Sequence, residues 1–165
     1  MRVAIAPAKR TPVGGWQCNA IATRGDLVDV EILELPRAPG RERRVALLAR
    51  VELPGRALSV ACTHLDSHGG HAATDQLRVV LDALTRRPPP RVIAGDFNLG
   101  PDPVEPILEA AGFEPADSGP THPAHDPRTR IDWIAVDGGA RIAATQLHRP
   151  LVGDHRPVVA DVVLT

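Results

Sequence analysis

The chain has 165 residues, 43% of them hydrophobic, and a formal net charge of -1. That length suits a single domain able to bury a real core, and the near-neutral charge excludes a whole-chain basic field of the kind that drives strong non-specific nucleic-acid binding. No uninterrupted apolar stretch reaches the length of a bilayer span, and Cys18 and Cys62 are too few for a disulfide framework or a four-thiolate metal site. A soluble protein of the reducing cytoplasm is the expectation.

In chain order, residues 2 to 6, 17 to 23 and 27 to 35 read as strands separated by Gly, Pro and Asp signals. Val45, Leu47, Ala49, Val51 and Leu53 alternate along a longer strand, which Pro54-Gly55 turns into another from Arg56 to His64, an antiparallel hairpin. After a turn over Ser67 to Gly70, Leu77, Val80, Leu81 and Leu84 fall at helical spacing and predict a helix that ends before Pro88-Pro89-Pro90. Val92, Ile93 and Ala94 then form a short buried strand that delivers Gly95-Asp96-Phe97-Asn98. Asp102 reads as the cap of a following helix, with Pro103 at its first position and Glu105 completing a capping box. A polar loop covers about Glu114 to Arg130. Ile131 to Val136 and Ala140 to Leu147 read as a second hairpin around Asp137-Gly138-Gly139, and Pro157 to Leu164 closes the chain as a strand. Strands outnumber helices, and helices fall between strands. The predicted class is α/β or α+β, with mostly antiparallel sheets packed on one another and helices on the outer faces.

Four of these strand ends carry groups capable of chemistry. Thr63-His64-Leu65-Asp66 ends the hairpin, and Asp96 and Asn98 follow the short core strand. In extended geometry two residues apart project to one side, so a carboxylate and an amide share a face while Phe97 turns into the core. Asp132 sits in the otherwise apolar Ile131 to Val136, where a buried carboxylate is costly unless a partner such as His or Arg compensates it. Asp154 and His155 precede the last strand. Carboxylates about 4 Å apart repel by roughly 1 to 4 kcal/mol depending on dielectric, so a cluster of Asp96, Asp132 and Asp154 calls for a cation or protonated histidines among them. Hard oxygen ligands point to magnesium, manganese or calcium before zinc. Metal-assisted hydrolysis of a phosphate ester is the chemistry these groups suggest.

In order and spacing, Thr63-His64-Leu65-Asp66, Gly95-Asp96-Phe97-Asn98, Arg130-Ile131-Asp132-Trp133-Ile134 and Gly153-Asp154-His155-Arg156-Pro157-Val158 resemble motifs of the endonuclease/exonuclease/phosphatase superfamily. Gln17 to Arg24 resembles the family's Gly-Asn-Ala-Ile-Leu-Ser-Arg strand, with Asn19 at the Asn, and Glu42 to Leu47 resembles its Glu-x-Arg-x-Ala-Leu strand. The resemblance implies a partial four-layer β-sandwich, a phosphate-ester substrate and Mg2+ or Mn2+ as the cofactor. It implies that Asp96 orients or deprotonates the attacking water and that Asn98 holds a phosphate oxygen. His155 would bind the scissile phosphate, with Asp132 fixing its ring. His64 would assist the leaving group or grip the phosphate, and Asp154, with Asp96, would belong to the metal site. Nucleic acid, a phospholipid head group and a small phosphodiester all fit that substrate class.

The sequence also departs from the family pattern. The family's opening strand with its Asn, and the Gln-Glu motif whose Glu is the principal metal ligand, have no counterpart before Gly14. The expectation is therefore one domain over residues 1 to 165 that is incomplete at its N-terminus, and the alternative reading is a catalytically silent member of the same family. Gly153 replaces the usual Ser before Asp-His, and His122 stands where an aromatic residue often precedes Arg-Ile-Asp. The stretch from Thr63 to His71 superficially resembles the metallo-β-lactamase motif His-x-His-x-Asp-His, but Asp66 and His68 stand in exchanged places, so that zinc geometry is not reproduced. His68, His71, His122, His125 and His148 read as surface or loop histidines.

Overall fold

The computed structural model describes residues 1–68, 70–150 and 152–165. Gly69, in the turn before the first helix and in the superficial zinc motif, lies outside them. In order, the elements among the described residues are β1 (Arg2–Arg10), β2 (Trp16–Thr23), β3 (Asp26–Glu34), β4 (Val45–Leu53), β5 (Arg56–His64), α1 (His71–Thr85), β6 (Arg91–Asp96), α2 (Pro101–Ala110), β7 (Glu114–Pro115), β8 (Asp132–Asp137), β9 (Ala140–Leu147) and β10 (Val158–Leu164).

A six-stranded sheet in the order β3-β4-β5-β6-β8-β7 forms the centre. Only β5 and β6 run parallel, joined through α1, and the other pairs are antiparallel. One face carries Ala46, Leu48, Ala61, Ile93, Phe97 and Trp133, all essentially sealed from solvent. Onto that face α1 lays Leu77, Val80, Leu81 and Leu84, and α2 lays Val104 and Leu108. The stripe predicted at helical spacing is thus the buried side of α1, and both helices lie outside the sheet on the same face. Across the sheet, Val45, Leu47 and Ala49 pack on Ala6, Ala8 and Ile21 of the β1-β2 ribbon. Successive side chains of a strand point to opposite faces. Since both faces of the first half of β4 are covered, Ala46 and Leu48, which lie between its alternating apolar positions, are apolar too, and Arg50 and Glu52 follow only toward its far end.

The second layer consists of two separate antiparallel ribbons, β1-β2 and β9-β10. One lies over β3, β4 and β5 and the other over β7 and β8. Between them, on the uncovered face of β6, Val92 and Ala94 are half-buried, as is Ile134 beside them on β8. The result is the expected partial sandwich, with helices outside and strands mostly antiparallel.

Two local expectations are corrected. Ile131 to Val136 and Ala140 to Leu147 do not form a hairpin, because β8 joins the six-stranded sheet while β9 pairs with β10. Gly138 and Gly139 adopt φ of 62° and 97°. They carry the chain from one layer to the other, where a hairpin turn would return it along the same sheet. Asp102 is not the cap of α2. That helix starts at Pro101 after an extended Gly100 with no side-chain cap, since Pro101 already suits the first turn, where its missing N–H is not needed. Asp102 instead lies in that first turn.

Candidate active site

The site grows out of strand register. His64 at the end of β5 lies opposite Asp96 at the end of β6, and Asp96 lies opposite Asp132 at the start of β8. Three polar side chains therefore form one row across three adjacent strands. By alternation the row shares its face with Val60 and Cys62, with Val92 and Ala94, and with Ile134. It is the polar end of the gap between the two ribbons, and a cavity of about 300 Å³ there is lined by Ala94, Asp96, Asp132, Ile134, His155 and Val158 among others.

His155 enters from the segment before β10, and its Nδ1 donates to Asp132 Oδ2 at 2.8 Å. This is the partner that the apolar context of Asp132 calls for. With Nδ1 so committed, Nε2 faces the centre, 4.0 Å from Asp96 Oδ2 and 4.0 Å from Asp154 Oδ1. His64 Nε2 approaches Asp96 Oδ2 at 3.5 Å, while its Nδ1 meets Gln17 Nε2 at 3.2 Å. Donation from the Gln17 amide to Nδ1 leaves the proton of a neutral His64 on Nε2, aimed at Asp96. Asn98 has a left-handed backbone, φ 52°. Its N–H donates to Asp96 Oδ1 at 2.9 Å, and its Nδ2 donates to the Leu65 carbonyl at 3.0 Å. Asn98 thus anchors Asp96 and ties the ends of β5 and β6 together.

Burial and charge tune these groups. Burial raises the Asp96 carboxyl above the usual range; repulsion from Asp132 adds to this, and the Asn98 N–H, His155 and Arg44 oppose it. Burial pushes His64 down to about 4, reinforced by the positive charges of Arg44, His155 and Lys9. For His155 burial works downward, but the hydrogen bond and charge of Asp132, with Asp96 and Asp154, raise it overall. One imidazole is neutral and the other favours its cation, so the two histidines beside Asp96 are not equivalent.

A divalent ion fits this donor set. One ligand atom each from Asp96, Asp132 and His155 lies within 4.8 Å of the others. Among the described residues no Arg or Lys is bonded to the partly buried Asp96 carboxyl, which lines the cavity. Asp154 is exposed and joins His155 and His122 in a second group. His64, Asp96, Asp132 and His155 come together at one rim, and Asp154 lies at its outer edge, in a group apart from Asp96. Asn98 departs from the extended geometry expected of it: its backbone is left-handed, its amide donates to the Leu65 carbonyl, and it meets Asp96 through its backbone N–H.

The sequence reading missed several neighbours. Arg44 is buried, donates to Glu42 Oε2 at 3.1 Å and to Ser67 Oγ at 3.4 Å, and leaves its Nε without a partner. Lys9 is bonded to Glu42. Gln17, in β2, and Arg44, just before β4, lie in the two stretches that carry the weaker family resemblance, which was the signal available for them. His122 is not a free loop residue, since its ring lies 4.8 Å from that of His155.

A profile of the endonuclease/exonuclease/phosphatase family matches residues 6–155. No curated protein matches the sequence. Among solved structures, an endonuclease/exonuclease/phosphatase from Beutenbergia cavernae superposes with a TM-score of 0.78 at 22% identity, covering 98% of this chain and 53% of that one. This chain therefore spans about half of that protein. A mannosyl-6-phosphatase from Bacteroides thetaiotaomicron gives 0.80 at 15% identity over 99% of this chain and 77% of its own. The D. rerio TDP2, solved with a single-strand DNA product, gives 0.77 at 18% identity over 98% and 77%. Over these lengths the likeness is one of fold. With the profile spanning nearly the whole sequence, the chain belongs to the endonuclease/exonuclease/phosphatase family.

Proposed function

We propose that the chain is a phosphoesterase that hydrolyses phosphodiester or phosphomonoester bonds by attack of an activated water. The observation that carries this reading is the row His64, Asp96 and Asp132 across three strands, with the His155 ring held on Asp132. Asp96, held from below by the Asn98 N–H, orients the water and accepts its proton. His155, fixed by Asp132 and favouring its cation, binds a phosphoryl oxygen and stabilises the charge that builds there. The neutral His64 turns Nε2–H toward the same place and serves the leaving oxygen. Asn98, one of whose amide hydrogens goes to the Leu65 carbonyl, would hold a phosphate oxygen with the other. Asp96 and Asp132, whose ligand atoms lie together, would hold Mg2+ or Mn2+, for which oxygen donors are suited, with Asp154 at the outer edge. Such an ion would neutralise negative charge on the phosphoryl group.

The substrate class is a phosphate ester. Solved relatives include a protein named as a sugar phosphatase and one that holds DNA, so both a monoester and a diester enter the test. Both cysteines are free, which suits the cytoplasmic location and single domain that form part of this proposal. Among the described residues no helix is long and apolar enough to cross a membrane. A catalytically silent family member is the second reading. It is favoured by the hydrogen bond from His155 to Asp132, which occupies one oxygen of the carboxylate that would share a metal with Asp96.

Hydrolysis of bis-p-nitrophenyl phosphate and p-nitrophenyl phosphate with Mg2+ or Mn2+ separates these readings. Asp96→Asn is expected to lower the rate by roughly 10²- to 10⁴-fold, the span of a positioned acid or base. Equal hydrolysis by wild type and Asp96→Asn overturns the assignment, and no hydrolysis by a folded wild type supports the silent reading.

A further inference from the structure

We propose that His122, Asp154 and His155 form a binding site for a zinc-class divalent ion, distinct from the group of Asp96 and Asp132, and that filling it withdraws His155 from the phosphate. The second half of this statement rests on the function proposed above; the first half does not.

One ligand atom from each of the three residues lies within 4.8 Å of the others. The two imidazoles face each other with centroids 4.8 Å apart and planes tilted by 47°. His155 Nδ1 is bonded to Asp132, so Nε2 is the free donor, and Asp154 Oδ1 lies 4.0 Å from it. A ligating histidine whose other nitrogen donates to a carboxylate is the usual support of a metal site, because the second bond fixes the tautomer and makes the ring a stronger ligand. Two imidazoles and one carboxylate make the donor set of open, three-ligand zinc sites. Imidazole nitrogen suits zinc, cobalt, nickel and copper, whereas magnesium prefers oxygen. The two groups therefore differ in the ions they select although they share His155.

The backbone keeps these donors together without any metal. The His122 N–H donates to the Thr129 carbonyl at 3.0 Å, and the His122 carbonyl accepts from the N–H groups of Arg128 and Thr129 at 2.9 and 3.0 Å. That loop is strapped to the segment bearing the other two ligands. Ala124 N donates to the Asp154 carbonyl at 2.7 Å, Arg156 N to the Thr121 carbonyl at 2.8 Å, and Arg156 Nε to the Ala124 carbonyl at 2.9 Å. Strapped loops limit the ordering that a metal would otherwise have to impose. Because Asp154 and His155 belong to the proposed catalytic arrangement as well, an ion bound here competes with it, and the expected effect on hydrolysis is inhibition.

Co2+ titration of the full chain under excess Mg2+ tests the site, read by the visible absorption of cobalt in a nitrogen and oxygen field. Wild type is expected to bind one Co2+ that Zn2+ displaces and Mg2+ does not. His122→Phe, which keeps an aromatic ring against His155, should weaken that binding by at least about tenfold, and Asp96→Asn should retain it. Equal cobalt affinity in wild type and His122→Phe overturns the proposal. Ring-nitrogen NMR of wild type with Zn2+ serves if the variant does not fold: shifts at both His122 and His155 support the site, and shifts confined to other histidines, or none, overturn it. In an active preparation, Zn2+ should inhibit wild type at concentrations that leave His122→Phe unaffected. Loss of the cobalt site in an active enzyme defeats only this inference, whereas an inactive wild type that still binds cobalt through His122 defeats only the function proposed above.

Discussion

His64 is held neutral by its surroundings, and its protonation should be visible in stability. Its side chain is 27% exposed, and burial with the nearby charges of Arg44, His155 and Lys9 sets its pKa at about 4 against 6.5 for a free imidazole. Between those values the unfolded chain binds a proton that the folded chain refuses. Stability from this residue is therefore complete above about pH 7 and is lost as pH falls toward 4. From about pH 7 to about pH 5 the loss amounts to roughly 2 kcal/mol. Urea unfolding midpoints should thus fall less for His64→Gln than for wild type over that interval, and parallel pH dependences would refute the assignment. At this scale the sequence was informative wherever context made a demand. A carboxylate beginning an apolar strand calls for a partner, and Asp132 has one in His155. Gln17 and Arg44 made no such demand. Gln17 meets His64, and the charge of Arg44 bears on His64 and Asp96, only once β2 and the start of β4 are folded beside β5, and no local pattern encodes that approach.

Gly95 shows how little freedom the strand bearing the central carboxylate has. A Cβ at this position would lie 1.9 Å from the Thr63 carbonyl oxygen, on a backbone with φ of 155°. The obstruction is backbone of the neighbouring parallel strand, which cannot swing aside as a side chain would. Gly95→Ala must move β6 relative to β5 and so disturb the row of His64, Asp96 and Asp132. We expect a cost above about 2 kcal/mol, large for a single methyl group, together with loss of hydrolysis. A denaturant midpoint unchanged from wild type would contradict this close approach. The strand before Gly95 was legible from its apolar run, as were the β4-β5 hairpin and the buried stripe of α1. The pairing of β9 was not. Asp137-Gly138-Gly139 carries the residues of a hairpin turn, yet a Cβ on Gly138 would meet Pro89 Cβ at 2.6 Å. These glycines serve a close crossing between layers. Turn chemistry is local, whereas the choice of partner strand is decided by which apolar face β9 can cover.

The molecule has a continuous six-stranded sheet on one side and two separate ribbons on the other, and its stability should be divided in the same way. A lone two-stranded ribbon is marginal in water, so each ribbon depends on the face it covers. For β1-β2 that face is Val45, Leu47 and Ala49. Outward, Val3 and Ile5 of β1 are 51% and 57% exposed. Val159 and Val163 of β10 are also exposed. The central strands β4, β5 and β6 are paired on both edges and sealed beneath α1. Opening a ribbon exposes less apolar surface than opening the central sheet, and local opening free energies scale with that difference. Hydrogen exchange should therefore release the amides of β1, β2, β9 and β10 at least about tenfold faster than those of β4, β5 and β6, about 1.4 kcal/mol or more in opening free energy. Uniform protection across both layers would mean that the ribbons do not open independently. The row of His64, Asp96 and Asp132 stands on the slow side of this division and His155 reaches it from the fast side, so opening of the β9-β10 ribbon would release the His155 ring from Asp132 while the carboxylate row stayed in register.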